Sequence, residues 1–232
     1  LIMFAIEIRI DKIEIAIIIL WIVSMLAIAS IAAVLAKNFG VEFLIGMYAA
    51  AIVITAVIGG KVVEFGPFVT SAAVIVFSIT FFLIDTISEF FGKEAAKKAV
   101  WIGFLADILL LFAIWVAAGW NGQEAFAQTL GTTWRVALAS VVAYVVSQNH
   151  DVWAFHFLKE KTNGRHLWLR NNLSTGVSQT IDSVLFISIA FFGLFPIVPL
   201  IIGNVAVKMI IAAIDTPFLY LMRFYYVESE VR

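Results

Sequence analysis

Seven mainly apolar runs follow one another along the chain: Ile13–Ala36, Phe43–Gly59, Gly66–Ile84, Ala99–Gly119, Trp134–Leu158, Gly176–Phe195 and Val198–Met222. The hydrocarbon core of a bilayer is about 30 Å thick, and a helix needs roughly 20 apolar residues to cross it. In lipid the backbone must satisfy its own polar groups, which here leaves the helix as the available form. The expected fold is therefore all-α, a polytopic transmembrane helical bundle of about seven helices. The runs fill most of the 232 residues, so one integral membrane domain, 1–232, is expected. Composition agrees. Hydrophobic residues make up 63% and charged residues 13%, against about 45–50% and 25% in ordinary globular chains. A net charge of −1 offers no basic field for phosphates, so nucleic acid is excluded as a partner. The absence of cysteine excludes a disulfide framework and thiolate metal sites.

The first run is too long for a signal-peptide core of about 7–15 residues, and Glu7, Asp11 and Glu14 stand where basic residues belong. It is read as a helix. With seven crossings, Lys37, Lys93, Lys97, Lys98, Lys159, Lys161, Arg165, Arg170, Arg223 and Arg232 fall on one side, and Arg9, Lys12, Lys61 and Arg135 on the other. Cytoplasmic connections carry the excess of Lys and Arg, so the expectation is an outside N-terminus and a cytoplasmic C-terminus.

The polar residues inside the runs carry the functional information. A charged side chain at mid-bilayer costs about 2.5–3.5 kcal/mol on insertion scales. Asp85 and Glu89 are four apart, on one face of the third helix. Asp107 lies near the middle of the fourth. Ser140, Tyr144, Ser147, Gln148 and Asp151 form a stripe on the fifth. Ser178, Gln179, Asp182 and Ser183 open the sixth, and Asn204, Lys208 and Asp215 share a face of the seventh. An apolar exterior around a polar interior is the pattern of a solute pathway. Plainer readings exist for each feature: Asp85 and Glu89 as interfacial helix-end residues, Asp107 as half of an ion pair with Lys208, Ser and Thr as helix–helix glue. Lys208 is too deep to reach either surface and calls for a carboxylate or a substrate acceptor. Phe81, Phe82, Tyr144 and Phe186 neighbour the polar cluster and are candidates to stack on a flat ligand, although packing is the commoner use of such rings.

No phosphate cradle, zinc-protease helix or nucleophile elbow is present. His150, His156 and His166 lack the spacing of a metal site and read as surface residues. No metal, no cofactor and no enzymatic activity are expected. Ala49–Ala51 and Gly59–Gly60 permit close helix packing within a protomer or in a homo-oligomer.

Four separated segments resemble the queuosine precursor transporter family, also called the VUT family of vitamin uptake transporters. The first is Phe-Leu-Ile-Asp85-Thr-Ile-Ser-Glu89-Phe-Phe-Gly92-Lys93 with Ala95, Ala96 and Lys97, similar to the family signature D-x-x-x-E-x-(Y/F)-G-x-x-x-A. The second runs from Arg135 to Ser140, then Ala143-Tyr144, Ser147-Gln148 and Asp151. The third is Gln179-Thr-Ile-Asp182-Ser with Ala190-Phe191, and the fourth is Lys208 with Pro217 and Tyr220. The resemblance covers about residues 50–225. It implies a multi-pass importer, in the cytoplasmic (inner) membrane, of 7-cyano-7-deazaguanine and its aminomethyl relative, precursors of queuosine and archaeosine in tRNA modification. Family members are usually read as six helices, so the run 13–36 is an addition before a core of about 43–225.

A 7-deazaguanine is flat, with an N1–H and amine edge suited to a carboxylate and an O6 suited to a cation or amide, and charge-assisted contacts of this kind are strong in a dry site. The candidate substrate-binding residues are Asp182 first for the donor edge and Glu89 second, Lys208, Gln148 and Gln179 for O6 or the nitrile, and Tyr144. Asp85, Asp151 and Arg135 are candidates for gating or proton coupling. Two other classes are weighed: a substrate-binding subunit of a multicomponent vitamin or nucleobase importer, and a seven-helix retinal protein with Lys208 as Schiff base. Asn204 stands four before that lysine where such proteins usually carry Asp.

Overall fold

In the computed structural model the described residues are 12–59, 61–65, 68–122, 134–193 and 196–228. They form seven helices and one hairpin: α1 (Lys12–Phe39), α2 (Glu42–Ile58), β1 (Val62–Phe65), β2 (Phe68–Ser71), α3 (Val74–Phe90), α4 (Lys93–Gly119), α5 (Trp134–Lys161), α6 (Leu167–Phe191) and α7 (Ile197–Glu228). The chain is a polytopic helical bundle. Four helices have the length and apolar composition of a membrane span: α1, α4, α6 and α7. Helix α2 is apolar but has only 17 residues. Helix α5 is long enough, and its composition is diluted by the polar stripe, of which Ser147, Gln148 and Asp151 are completely buried. Those residues face protein and leave the lipid side apolar. On α4 the opposite situation holds, with Leu109, Phe112 and Trp115 exposed at 69%, 61% and 72%.

Connections at one end are short. Gly92, with φ at +86°, turns α3 into α4, a conformation that costs an L-residue and suits glycine. At that same end the Lys37 ammonium donates to the carbonyls of Tyr225 (3.3 Å) and Tyr226 (3.1 Å), tying the end of α1 to that of α7. Lys159 does the same for α5 and α3 through the Glu89 carbonyl, at 3.1 Å. Helices α1, α3, α5 and α7 thus end on one side, and the hairpin sits on the other.

Three of the boundaries that differ from the sequence reading bear on the site, each for a physical reason. The run Gly66–Ile84 is not one helix. Residues 68–71 form β2, paired antiparallel with β1 in the register Val62↔Ser71 and Phe65↔Phe68, and helix begins at Val74. Ser71 makes the transition: its hydroxyl donates to the Gly59 carbonyl (2.8 Å) and accepts the Ala73 N–H (3.2 Å). The same helix runs on to Phe90, so Asp85 is an interior residue, 1% exposed. Third, α6 starts at Leu167 rather than Gly176, because its first turns carry Arg170, Asn171 and Ser174, all buried against protein. Arg170, counted above with a cytoplasmic connection, is a fully buried helical residue.

Pro217 lies inside α7. A proline there removes one backbone donor and bends the helix, and the Thr216 hydroxyl bonds the Ala212 carbonyl at 3.1 Å in the same turn. Gly203 lets the hairpin approach α7: a Cβ there would lie 3.0 Å from the Val69 carbonyl oxygen. The Thr70 hydroxyl then donates to Asn204 Oδ1 at 2.9 Å.

Candidate functional site

Helices α6 and α7 carry the central pair. Asp182 stands nine residues before the end of α6 and Lys208 eleven after the start of α7, so both lie roughly 13–16 Å from the hairpin end at 1.5 Å per residue. That is about half the depth of a bilayer core. The Lys208 ammonium donates to Asp182 Oδ2 at 2.5 Å, with the two side chains 3% and 7% exposed. Ser147 of α5 donates to the other oxygen, Oδ1, at 3.2 Å. From α3, the Phe77 ring places its centroid 4.8 Å from Lys208 Nζ, a cation–π contact. Asn204 of α7 donates to the Ser183 hydroxyl at 3.4 Å. A charge pair in such a setting holds only if its remaining valences are hydrogen-bonded, and Ser147 and Phe77 supply that second layer.

The pair forms the floor of a cavity of about 130 Å³ whose other walls include Thr55, Phe77, Ser140, Phe186 and Asn204. The lining residues come from the hairpin-side parts of α2, α3, α4, α5, α6 and α7 and from β2. The lining mixes the polar groups of Thr55, Ser140, Asp182, Asn204 and Lys208 with apolar and aromatic side chains. That is the make-up of a small-molecule site.

Two further polar layers follow toward the other end. The Gln148 amide donates to Thr80 Oγ1 at 3.1 Å. Its own oxygen, and both amide atoms of the fully buried Gln179, have no partner among the described residues. Beyond them Asp85 accepts from the Thr175 hydroxyl at 2.8 Å, and its carboxyl lies within hydrogen-bonding reach of Asp151. Asp215 accepts from Asn171 at 3.2 Å. At the far end Glu89 receives Arg170 and Lys159, the latter at 2.8 Å. Arg170 also donates to the Gly164 carbonyl at 2.8 Å, so this clamp ties α3, α5, α6 and the α5–α6 turn.

The structure thus brings Asp182 and Lys208 together and sets Gln148 and Gln179 deeper in the bundle. It places Glu89 in the end clamp, away from the cavity. It places Tyr144 in the packing: the hydroxyl donates to the Val100 carbonyl at 2.7 Å and bonds the Tyr48 hydroxyl at 3.1 Å. Gly103 of α4 makes room for those two rings, since a Cβ there would lie 2.6 Å from the Tyr144 oxygen. Phe81 and Phe82 are buried core residues, and only Phe186 of the four aromatic candidates lines the cavity. Lys208 pairs with Asp182 and not with Asp107. The Arg135 side chain lies outside the described residues. His150 and His156 are half-buried, the former bonded to Ser178 at 2.8 Å.

Phe77 and Thr70 were not singled out from the sequence. Phe77 shares a helical face with Phe81 and Asp85, at spacings of four and eight, so the position was open to inference. Thr70 was not, because the hairpin hides inside an apolar run.

The family model described as "Putative vitamin uptake transporter" matches residues 71–222, a stretch holding every polar layer above. The chain belongs to the vitamin uptake transporter family. A relative from Bacillus subtilis (strain 168), named "Probable queuosine precursor transporter", is 31% identical over 69% of this chain and 74% of its own length. The "Queuosine precursor transporter" of Escherichia coli (strain K12) is 28% identical over 50% of this chain and 52% of its own. A Haemophilus influenzae relative named "Probable queuosine precursor transporter" is also 28% identical, over 50% of this chain and 49% of its own. This transporter spans about half the length of the latter two. No solved structure matches it. Helices α1 and α2 of the transporter lie before the matched segment, yet α2 contributes Thr55 to the cavity wall.

Proposed function

We propose that this transporter imports 7-deazaguanines such as 7-cyano-7-deazaguanine and its aminomethyl relative, and that they bind at the Asp182–Lys208 pair. The observation that carries the reading is the pair itself, a carboxylate beside an ammonium at the floor of a cavity with Phe77 and Phe186 in its walls. A 7-deazaguanine edge presents an amine, an N1–H and an O6 in sequence, two donors beside an acceptor. Asp182 accepts the donors and Lys208 donates to O6, in matching order. The aromatic walls suit a flat ring. Both contacts are charge-assisted and water-poor, which makes them strong. The unpartnered amide atoms of Gln148 and Gln179 offer the next polar contacts along the axis.

The family match and the names of the relatives support the substrate class. The excess of Lys and Arg at the end that carries the Glu89 clamp supports a cytoplasmic position for that end. The cavity then faces outward, the N-terminus is outside and the C-terminus inside. Alternating access requires the clamp to part and the hairpin end to close around the pair. The test is uptake of labelled 7-cyano-7-deazaguanine by cells unable to make it, with and without this gene. Saturable uptake that the aminomethyl analogue competes is expected. Absence of uptake in a folded, membrane-inserted protein would refute the substrate assignment.

A further inference from the structure

The layer beyond the two glutamines plays no part in holding a substrate at Asp182, and its composition is unusual for a bundle interior. Asp85 of α3, Asp151 of α5 and Asp215 of α7 are 1%, 0% and 1% exposed. Among the described residues none of the three is in an ion pair. Lys208, the nearest cation along α7, lies seven residues from Asp215, about 10 Å along the helix, and is held by Asp182. Arg170 and Lys159 are held by Glu89, one turn beyond Asp85. Tyr48 of α2 and His150 of α5 are the further titratable groups near the cluster among the described residues, the first bonded to Tyr144 and the second to Ser178. Neither Asp151 oxygen receives a hydrogen bond among the described residues. The hydroxyls of Ser174 and Ser178 lie close to the Asp151 carboxyl, and they donate to the backbone carbonyls of Asn171 (3.4 Å) and Ser174 (2.7 Å).

A second feature, separate from the carboxylates, points to what binds here. Asn171 of α6 is fully buried and gives its amide nitrogen to Asp215, while the oxygen of that same amide has no donor. An amide oxygen buried without a donor, on a side chain bonded to an acid, is satisfied when a neighbouring acid carries a hydrogen. Like-charged carboxylates in contact cannot both remain ionised in a dry interior. The three groups do not converge as a metal-ligand set, so the ligand that the geometry fits is the proton.

We propose that Asp85, Asp151 and Asp215, with Asn171, form a proton-binding site that couples substrate uptake to the proton gradient. The proposal rests on the reading of the chain as an importer. In the outward-facing arrangement a proton passes from the cavity along the Ser147, Gln148 and Gln179 layer and forms an O–H bond on the Asp85–Asp151 carboxyl pair. When the Glu89 clamp parts, that O–H bond breaks and the proton leaves to cytoplasmic water. One proton enters the cell with the substrate and no electrons move. An unprotonated pair blocks the inward passage of the substrate-loaded carrier, so substrate crosses only with its proton and the emptied carrier returns after release.

The test uses the full chain in two assays. Infrared difference spectra of the purified protein read the carbonyl stretch of protonated carboxylic acids without any substrate. A band at neutral pH that is lost in Asp85→Asn and Asp151→Asn is expected, and its absence from the wild type would overturn the proposal. In proteoliposomes with the membrane potential clamped, labelled 7-cyano-7-deazaguanine is followed as exchange and as accumulation driven by an inward proton gradient. With one proton per substrate, each pH unit supports about tenfold accumulation, since one unit and one decade in concentration are the same free energy. The wild type is expected to approach that ratio, and Asp151→Asn to equilibrate without concentrating. Concentration by Asp151→Asn to the wild-type ratio would overturn the proposal. A wild type that exchanges no 7-deazaguanine defeats the substrate reading alone, and the infrared result still decides whether the site holds a proton.

Discussion

Asp182 on one hand and Asp85, Asp151 and Asp215 on the other are buried carboxylates that solve the same problem in opposite ways. Asp182 is matched by Lys208 and Ser147, with the Phe77 face against Lys208, and lines a cavity. Among the described residues Asp85, Asp151 and Asp215 have no cation partner, and hydroxyl and amide groups bond Asp85 and Asp215. The first arrangement holds two opposite charges ready to be redistributed onto a polar solute. The second holds like groups whose charge changes with a proton. The two therefore respond differently to neutralisation. Removing one member of a buried ion pair strands its partner, at about 3–5 kcal/mol, whereas removing one member of a like-charged cluster relieves it.

The largest expected effect follows from that contrast. Lys208→Met should abolish uptake and lower stability by about 3–5 kcal/mol, because Asp182 is left buried and unpaired. Adding Asp182→Leu should restore most of the stability and none of the transport, read by thermal unfolding in detergent beside an uptake assay. Asp151→Asn should leave the unfolding temperature equal to the wild type or raise it. A loss as large as that of Lys208→Met would show that the cluster is an ion-paired structural element after all.

Arg170→Ala extends the comparison to the end clamp. It strips Glu89 of its buried partner and frees the carbonyls of Gly164 and Arg165, so a loss of about 3 kcal/mol is expected. Lys159, 31% exposed, should matter far less when replaced. A smaller effect tests packing apart from charge. Gly103→Ala drives a methyl into the Tyr48 and Tyr144 rings and should cost about 1–3 kcal/mol, with uptake per folded molecule preserved. Thr70→Val should cost about 1 kcal/mol or less, the value of one neutral hydrogen bond. It loosens the hairpin from Asn204, and a change in uptake rate without a change in substrate affinity is expected.

Much of this was readable in the chain because a membrane makes burial of charge expensive. Lys208 stood out for its depth and Asp182 for its place in the polar opening of the sixth run, and the structure joins these residues, 26 positions apart. Helical spacing likewise put Asp85 and Glu89 on one face. Their separate fates were not readable: Glu89 meets Arg170, 81 residues away, a pairing set by how α3 and α6 pack. Nor was the hairpin, since its residues 68–71, Phe-Val-Thr-Ser, continue an apolar run without a break. The early start of α6 escaped for the converse reason. A hydropathy criterion discards a segment bearing Arg170, Asn171 and Ser174, although those side chains face protein. Tyr144 lay in the right stripe, and its burial against Tyr48 and α4 depends on Gly103, a contact no local pattern announces.

The most direct measurement is the affinity of purified protein for labelled 7-cyano-7-deazaguanine, wild type against Asp182→Asn, at neutral pH. Asparagine keeps the shape and loses the charge that pairs Lys208 and that is proposed to accept the donor edge. Loss of one member of a buried, hydrogen-bonded charge pair costs about 2–5 kcal/mol, so binding should weaken roughly thirtyfold or more. Wild-type affinity in a folded Asp182→Asn protein would place the substrate elsewhere in the bundle and contradict the account.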